Sequence, residues 1–203
     1  MIRVHGTLAS INAYKVRLFL SILDQPYELV EIDMFDGEHK REPFLTLNRF
    51  GQMPALEDGD YTIADSHACL VYLARKYDSS DNWLPSDAED EAKVMEWLSK
   101  SANEVHQGPW MKRAKIRRPD AIKLPDEEID ARCDHVLAIM DAHLADEDWL
   151  ALNHPTIADI SCFAPISMLN ISGYDTDKWA NLTRWLERVR QLPGAIDIDG
   201  NGF

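Results

Sequence analysis

The run Gly51-Gln52-Met53-Pro54-Ala55-Leu56, followed by Asp65-Ser66, constrains this chain more than any other feature. A proline at the head of a strand has no N–H to give, so it sits poorly inside a sheet. It suits a sharp turn that leaves neighbouring backbone groups free, often through a cis peptide. A cis Met53-Pro54 bond would expose the Met53 N–H and C=O to an extended, peptide-like ligand. Asp65-Ser66 precedes an apolar-periodic run and reads as a helix N-terminus, which receives carboxylates through its free N–H groups and dipole. A third polar segment near the start carries Ser10 and Asn12. Together the three segments point to a pocket for a small anionic peptide.

The 203 residues suit one or two domains, and a 45% apolar content fills a core. No apolar stretch approaches the ~20 residues of a membrane span. Met1-Ile2-Arg3-Val4-His5 lacks the apolar run of a secretory signal, so a cytoplasmic protein with no membrane partner is expected. Cys69, Cys133 and Cys162 are odd in number, widely spaced and form no zinc pattern; they read as buried apolar residues in a reducing compartment. The histidines share no spacing that suggests a metal site, so no metal is expected. A net charge of −14 argues against nucleic acid, which needs a basic footprint. An anionic ligand therefore requires local positive charge against the global field. Lys15, Arg17, His39, Lys40 and Arg41 are the candidates, although each taken alone is an ordinary surface charge.

The first part alternates strand and helix. Ile2–His5 reads as a strand, and Ala13–Leu23 as a helix with Val16, Phe19, Leu20 and Leu23 on one face and Asn12 as its N-cap. Tyr27–Ile32 alternates like a strand, and Pro43–Leu47 reads as a short helix. Ala55–Glu57 and Tyr61–Ile63 flank Asp58-Gly59-Asp60, a hairpin signal. Ser66–Tyr77 is a helix. The order βαβαββα predicts an α/β thioredoxin-like domain over residues 1–78. A polar linker over 79–86, containing Pro85, leads to an all-α helical-bundle domain over 87–203. There a long helix from Asp87 to about Arg118 carries a kink or break at Gly108-Pro109. Further helices cover Glu127–Leu144, Thr156–Asn170 and Asn181–Leu192. Thr156-Ile157-Ala158-Asp159 has the form of an N-capping box, a structural role.

On these residues the chain resembles the soluble glutathione S-transferases over nearly its whole length. The first domain carries Ser10-Ile11-Asn12-Ala13-Tyr14-Lys15-Val16, Asn48-Arg49-Phe50-Gly51-Gln52-Met53-Pro54-Ala55-Leu56 and Ala64-Asp65-Ser66. The second carries Trp83-Leu84-Pro85, Trp149-Leu150-Ala151, Pro155-Thr156-Ile157-Ala158-Asp159 and Leu192-Pro193-Gly194. The order and spacing of these elements, rather than any one of them, make the match specific. The first segment is similar to serine-type bacterial enzymes and to the theta- and nu-like branches.

The resemblance implies a role for each matching residue. Ser10 stands where a hydroxyl hydrogen-bonds the glutathione sulfur, and Asn12 is a second donor to it. Met53, beside cis-Pro54, pairs its backbone with the cysteinyl part. Asp65 and Ser66 hold the γ-glutamyl amino and carboxyl groups. His39, Lys40 and Gln52 lie where the glycyl carboxylate is met. Trp110, Met111 and Arg113 are candidates to line the electrophile pocket; core packing for Trp110 and solvent for Arg113 are equally open readings. A homodimer is implied, each first domain packing against its partner's helical domain near the start of the Ser66–Tyr77 helix. No cofactor is implied beyond the co-substrate glutathione.

The chemistry is consistent on its own terms. The thiolate is the nucleophile, and a donor aimed at sulfur stabilises it selectively. Lowering the thiol pKa by ~2 units takes ~2.7 kcal/mol. One hydrogen bond to a charged acceptor supplies ~1.5–3 kcal/mol of that, with the helix N-terminus adding to it. Conjugation of glutathione to a small hydrophobic electrophile is the leading reading. Two alternatives stand beside it: glutathione-dependent disulfide or peroxide reduction, as in nu-like relatives, and a non-catalytic binding or assembly domain. The chain departs from the family pattern at Arg49, where proline is frequent, and at Asp65, where a longer Glu or Gln is common. It has Ser10 rather than cysteine beside the sulfur, which disfavours a mixed disulfide through that position.

Overall fold

The computed structural model describes residues 1–203. They form two compact units, Met1–Asp81 with Gln191–Phe203, and Asn82–Arg190.

The first unit contains β1 (Ile2–Gly6), α1 (Ile11–Ile22), β2 (Tyr27–Glu31), α2 (Phe44–Leu47), β3 (Ala55–Asp58), β4 (Tyr61–Ala64) and α3 (Ser66–Tyr77). The sheet order is β2-β1-β3-β4, with β1 and β2 parallel and the other neighbours antiparallel. This is the expected βαβαββα arrangement. The register sets Val4 beside Leu29 and Leu56, an apolar row across the sheet. Successive strand residues face opposite ways. Ala55 accordingly meets Phe44 of α2, with Ile32, Leu47, Met53 and Ala64 around it. Leu56 is fully buried, and α1 and α3 pack against each other and against the strands. Gly59, with φ +63°, makes the two-residue turn between β3 and β4.

Helix α1 begins two residues earlier than the sequence predicts. Its N-cap is Ser10, whose Oγ accepts from the Ala13 N–H at 3.3 Å. Asn12 is therefore inside the first turn and is not the cap. The serine hydroxyl reaches the N3 amide directly, which satisfies one of the free donors of that turn.

The second unit contains α4 (Ala88–Lys100), α5 (Met111–Arg117), α6 (Asp126–His143), α7 (Ile157–Ile166) and α8 (Ala180–Arg190). Between α4 and α5 the chain stays helical through Ser101–Trp110, wound as a π-helix. The expected kink or break at Gly108-Pro109 is thus a rewinding. Pro109 has no N–H, and in an α-helix its ring would strike the carbonyl four residues back; wider winding relieves that clash. Gly108 serves a different need. A Cβ there would lie 3.0 Å from Cys133 N and 3.1 Å from the Arg132 carbonyl carbon, so its absence lets this stretch approach α6 backbone to backbone.

All ten residues of α7 are buried. A helix apolar all round belongs in a core. It ends at Ile166, short of the predicted Asn170, and Asn170–Ser172 forms a separate 3₁₀ turn. Its capping box is complete: Thr156 Oγ1 accepts from the Ala158 N–H at 3.3 Å, and Asp159 Oδ2 accepts from the Thr156 N–H at 2.9 Å.

The expectation of a helical domain running to residue 203 needs one amendment. Gln191–Phe203 packs with the first unit, because α1 bonds its carbonyls. Tyr14 Oη donates to Ile196 O at 2.7 Å, and Arg17 Nη2 donates to Ile198 O at 2.6 Å.

Replacement of Thr156 by alanine removes the cap and is expected to cost ~1 kcal/mol, read as a lower urea midpoint with an unchanged slope; an unchanged midpoint would contradict the role. Asp58 supports a pH prediction. Tyr72 Oη, Lys76 Nζ and Tyr77 Oη all donate to its Oδ2, at 2.9, 2.6 and 2.5 Å. Partial burial raises its pKa, but the bonds from Lys76, Tyr77 and Tyr72 outweigh that and hold it below the ordinary aspartate value. A lowered folded pKa contributes stability that is complete above the unfolded value and lost as pH falls through the folded one. The urea midpoint of the native chain should therefore fall more than that of Asp58→Asn between about pH 5 and pH 2.

Candidate functional site

The first unit brings the three segments singled out in the sequence to one place. Gly6 ends β1 where a Cβ would lie 2.9 Å from the Ala13 Cβ and 3.9 Å from the Met53 Cβ. The first turn of α1 and the Met53 turn are thus neighbours across a residue that has no side chain. Lys15 Nζ lies 3.2 Å from His67 Nε2, which links α1 to the start of α3, and the pairing of Ala55 with Ala64 sets Met53-Pro54 beside Asp65-Ser66.

Met53-Pro54 is cis. Met53 precedes the paired residues of β3, which begin at Ala55, so its backbone stays outside the sheet ladder. The turn before it is built by Asn48, a residue to which the sequence reading assigned no role. Asn48 is buried; its Oδ1 accepts from the Phe50 N–H at 3.0 Å and its Nδ2 donates to Gln52 O at 2.6 Å. Its main-chain carbonyl also accepts from the Gly51 N–H at 2.8 Å. An asparagine three residues before a glycine was the available signal, since Asx side chains bond the backbone just ahead of them.

Gly51 has φ +57°, and a Cβ there would fall 2.8 Å from His39 O and 2.9 Å from Lys40 Cδ. Both constraints demand glycine. The same contacts place His39 and Lys40, on the 3₁₀ turn Glu38–Lys40, against the Gly51-Gln52 bend. Lys40 Nζ donates to Phe50 O at 3.3 Å, and Gln52 is exposed beside it. These three groups give the acidic chain a local set of donors.

Asp65 is the N-cap of α3. Its Oδ1 accepts from the His67 and Ala68 N–H groups, at 2.8 and 3.1 Å. Its φ of +79° with ψ 131° is an unusual conformation for a residue with a Cβ. Such strain costs about 1–3 kcal/mol and persists where surrounding structure over-determines it. Capping occupies Oδ1, and the residue itself is exposed. Ser66, 4% exposed, opens the helix.

Ser10 accepts from Ala13 and so keeps its own hydrogen for an acceptor outside the helix. Asn12, in the first turn at the same end, is half-buried. The three thiols are buried and free of disulfides. Burial, then the nearby charge of Asp65, pushes the Cys69 thiol up, and burial followed by Asp130 pushes Cys133 up to about 12. Neither supplies a thiolate at neutral pH.

Trp110, Met111 and Arg113 lie in the second unit, at the end of the π stretch and on α5, and all three are half-buried. The Trp110 ring stacks on His106 with centroids 4.1 Å apart. Arg113 Nε is buried without a hydrogen bond; burial, then Arg117, lowers its pKa. Trp110 is thus not a core side chain and Arg113 is not fully solvated. No group of three or more His, Cys, Asp or Glu side chains is placed to hold a metal, and no helix is long and apolar enough to cross a membrane.

Comparison with known proteins agrees with this geometry. Residues 2–75 match the family profile of the glutathione S-transferase N-terminal domain, and residues 117–193 that of the C-terminal domain. The chain is 31% identical to human glutathione S-transferase theta-2B over 181 residues, 84% of this chain and 72% of that one. A crystal structure of a possible glutathione S-transferase from Rhodopseudomonas palustris superposes with a TM-score of 0.86 at 29% identity, covering 98% of this chain and 97% of the other. A glutathione transferase homologue from Drosophila mojavensis, solved with bound glutathione, gives 0.85 at 30% identity, over 95% and 88% of the two chains. The chain belongs to the glutathione S-transferase family.

Proposed function

We propose that this chain binds glutathione in its first unit, holds it as the thiolate and transfers the sulfur to a small hydrophobic electrophile. The observation that carries the reading is the cap of α1. Ser10 accepts from the Ala13 amide, so its hydroxyl hydrogen is available to a sulfur at the positive end of the helix. In this reading Met53 pairs its backbone with the cysteinyl part of the ligand, beside Pro54. Asp65 Oδ2 receives the γ-glutamyl ammonium, and the Ser66 amide and hydroxyl receive its carboxylate. His39, Lys40 and Gln52 meet the glycyl carboxylate. Trp110, Met111 and Arg113 contact the electrophile.

The step balances simply. The thiolate lone pair forms the new C–S bond, a leaving group such as chloride departs with its electron pair, and the thiol proton goes to water beforehand. Reduction of disulfides or peroxides by glutathione is the second reading; Asn12, in the same first turn as Ser10, is the residue that favours it. The homodimer, a cytoplasmic setting and a role in detoxification belong to the proposal as well. Free buried cysteines suit a reducing compartment.

Ser10→Ala should raise the pKa of bound glutathione, followed as thiolate absorbance against pH. It should slow conjugation at neutral pH by roughly ten- to several-hundred-fold, the equivalent of a ~1.5–3 kcal/mol bond, with little loss of binding. Full activity in Ser10→Ala with a large loss in Asn12→Ala would reassign the donor. Absence of glutathione binding by calorimetry would refute the function itself. Light scattering at micromolar concentration should give twice the 23.2 kDa of one chain; a mass equal to one chain would refute the dimer.

A further inference from the structure

Arg17 is 1% exposed, yet no carboxylate lies within ion-pair distance of it. Burying an unpaired charge costs several kcal/mol, so a fold that keeps one must gain elsewhere. Its Nη2 donates to two carbonyls at once: Leu8 O at 3.0 Å and Ile198 O at 2.6 Å. The guanidinium lies 5.8 Å from the centre of the Tyr14 ring. Leu8 belongs to the turn that presents Ser10, which is closed by the Ser10 N–H donating to Thr7 O at 2.9 Å. Ile198 belongs to the tail.

That tail runs back along α1. At Gly194 a Cβ would sit 2.5 Å from Ser21 O, near the C-terminal end of the helix. Ile196 meets Tyr14, and Ile198 reaches Arg17 and the Leu8 carbonyl. The tail also closes on itself, with Asp197 N donating to Asn201 O at 2.7 Å and Ile196 bridging to Gly202. A bonded strap thus stretches from the far end of α1 to the turn before its first residue.

We infer that Arg17 is a positioning residue for the sulfur donor, and that the C-terminal tail Ala195–Phe203 acts through it to hold the Leu8–Ser10 turn. One nitrogen shared between Leu8 O and Ile198 O makes the pose of Ser10 depend on a segment nearly two hundred residues away in sequence. The inference rests on the reading of Ser10 as the donor to glutathione sulfur. Loss of the tail leaves the charge of Arg17 in place, so its effect reports positioning; loss of the guanidinium removes both. Lysine at position 17 reaches one carbonyl at a time and gives an intermediate result.

The test is the thiol pKa of bound glutathione in the full-length chain, in Arg17→Met, in Arg17→Lys and in a chain ending at Gly194. Conjugation of a halonitrobenzene is followed alongside. The pKa should rise by about one unit in Arg17→Met and in the shortened chain, with the rate at pH 7 falling about tenfold and KM for glutathione within about twofold. Shortening the Arg17→Met chain should add little, because both changes break one linkage. An unshifted thiol pKa in folded Arg17→Met overturns the inference, as does a shift in Arg17→Met without one in the shortened chain. Should Arg17→Met not fold, the shortened chain and Arg17→Lys decide alone: unshifted values in both overturn it. A full-length chain that forms no bound thiolate marks the failure of the Ser10 reading, visible before any variant is made.

Discussion

The carboxylate of Asp159 is fully buried, and its two oxygens accept from Thr156 N, Thr156 Oγ1, Leu150 N and Trp185 Nε1 at 2.9, 3.2, 3.0 and 2.9 Å. Desolvation raises its pKa, while the bonds from Trp185, Thr156 and Leu150 pull the other way. Four donors around one carboxylate leave little room for another arrangement. The group fixes where α7 starts, holds the loop ahead of it through Leu150, and ties α8 through the largest fully buried side chain, Trp185. Helix α4, the Ser101–Trp110 stretch and α8 pack against α7, with Ser101 Oγ 2.7 Å from Ser161 Oγ. Removing one donor leaves part of a buried acceptor unsatisfied, a loss of about 1–3 kcal/mol.

The first unit solves a different problem with the same means. A chain of net charge −14 has to receive an anionic ligand. In the proposed reading it does so with dipoles and short-range donors instead of a basic surface. Two helix N-termini, one capped by Ser10 and one by Asp65, sit beside a turn whose backbone is kept out of the sheet. Fixed N–H groups cost no reorganisation when charge arrives, and their effect falls off within a turn, so the global field matters little there. Asn48, Gly51 and Gly6 carry no chemistry themselves. They let His39, Lys40, the turn and the head of α1 approach closely.

Most elements were legible from local chemistry. Hydrophobic periods placed α1, β2, α3 and α6, and Thr156 with Asp159 announced the capping box three residues apart. The misreadings were also local. Asn12 and Ser10 are both good caps, and only the path of the chain decides which hydroxyl or amide meets the third amide. Gly108-Pro109 looks like a break because proline removes a donor, but the chain stays helical by π winding, which no dipeptide announces. Asn48 was visible as part of a motif, yet its two bonds to the loop become meaningful only once that loop is folded.

The sequence by itself determined the order βαβαββα followed by helices, the cis-prolyl turn, the start of α3 and the family to which they belong. These follow from side chains acting on backbone a few residues away, where spacing alone sets which donor meets which acceptor. Tertiary structure decided what depends on distant segments meeting. It brought Lys15 to His67, set Gly6 between Ala13 and Met53, and turned the tail back along α1 to Arg17. A buried arginine without a carboxylate partner looks, in sequence, like any other surface charge. Its acceptors are backbone carbonyls, and a carbonyl has no letter in the sequence to reveal it.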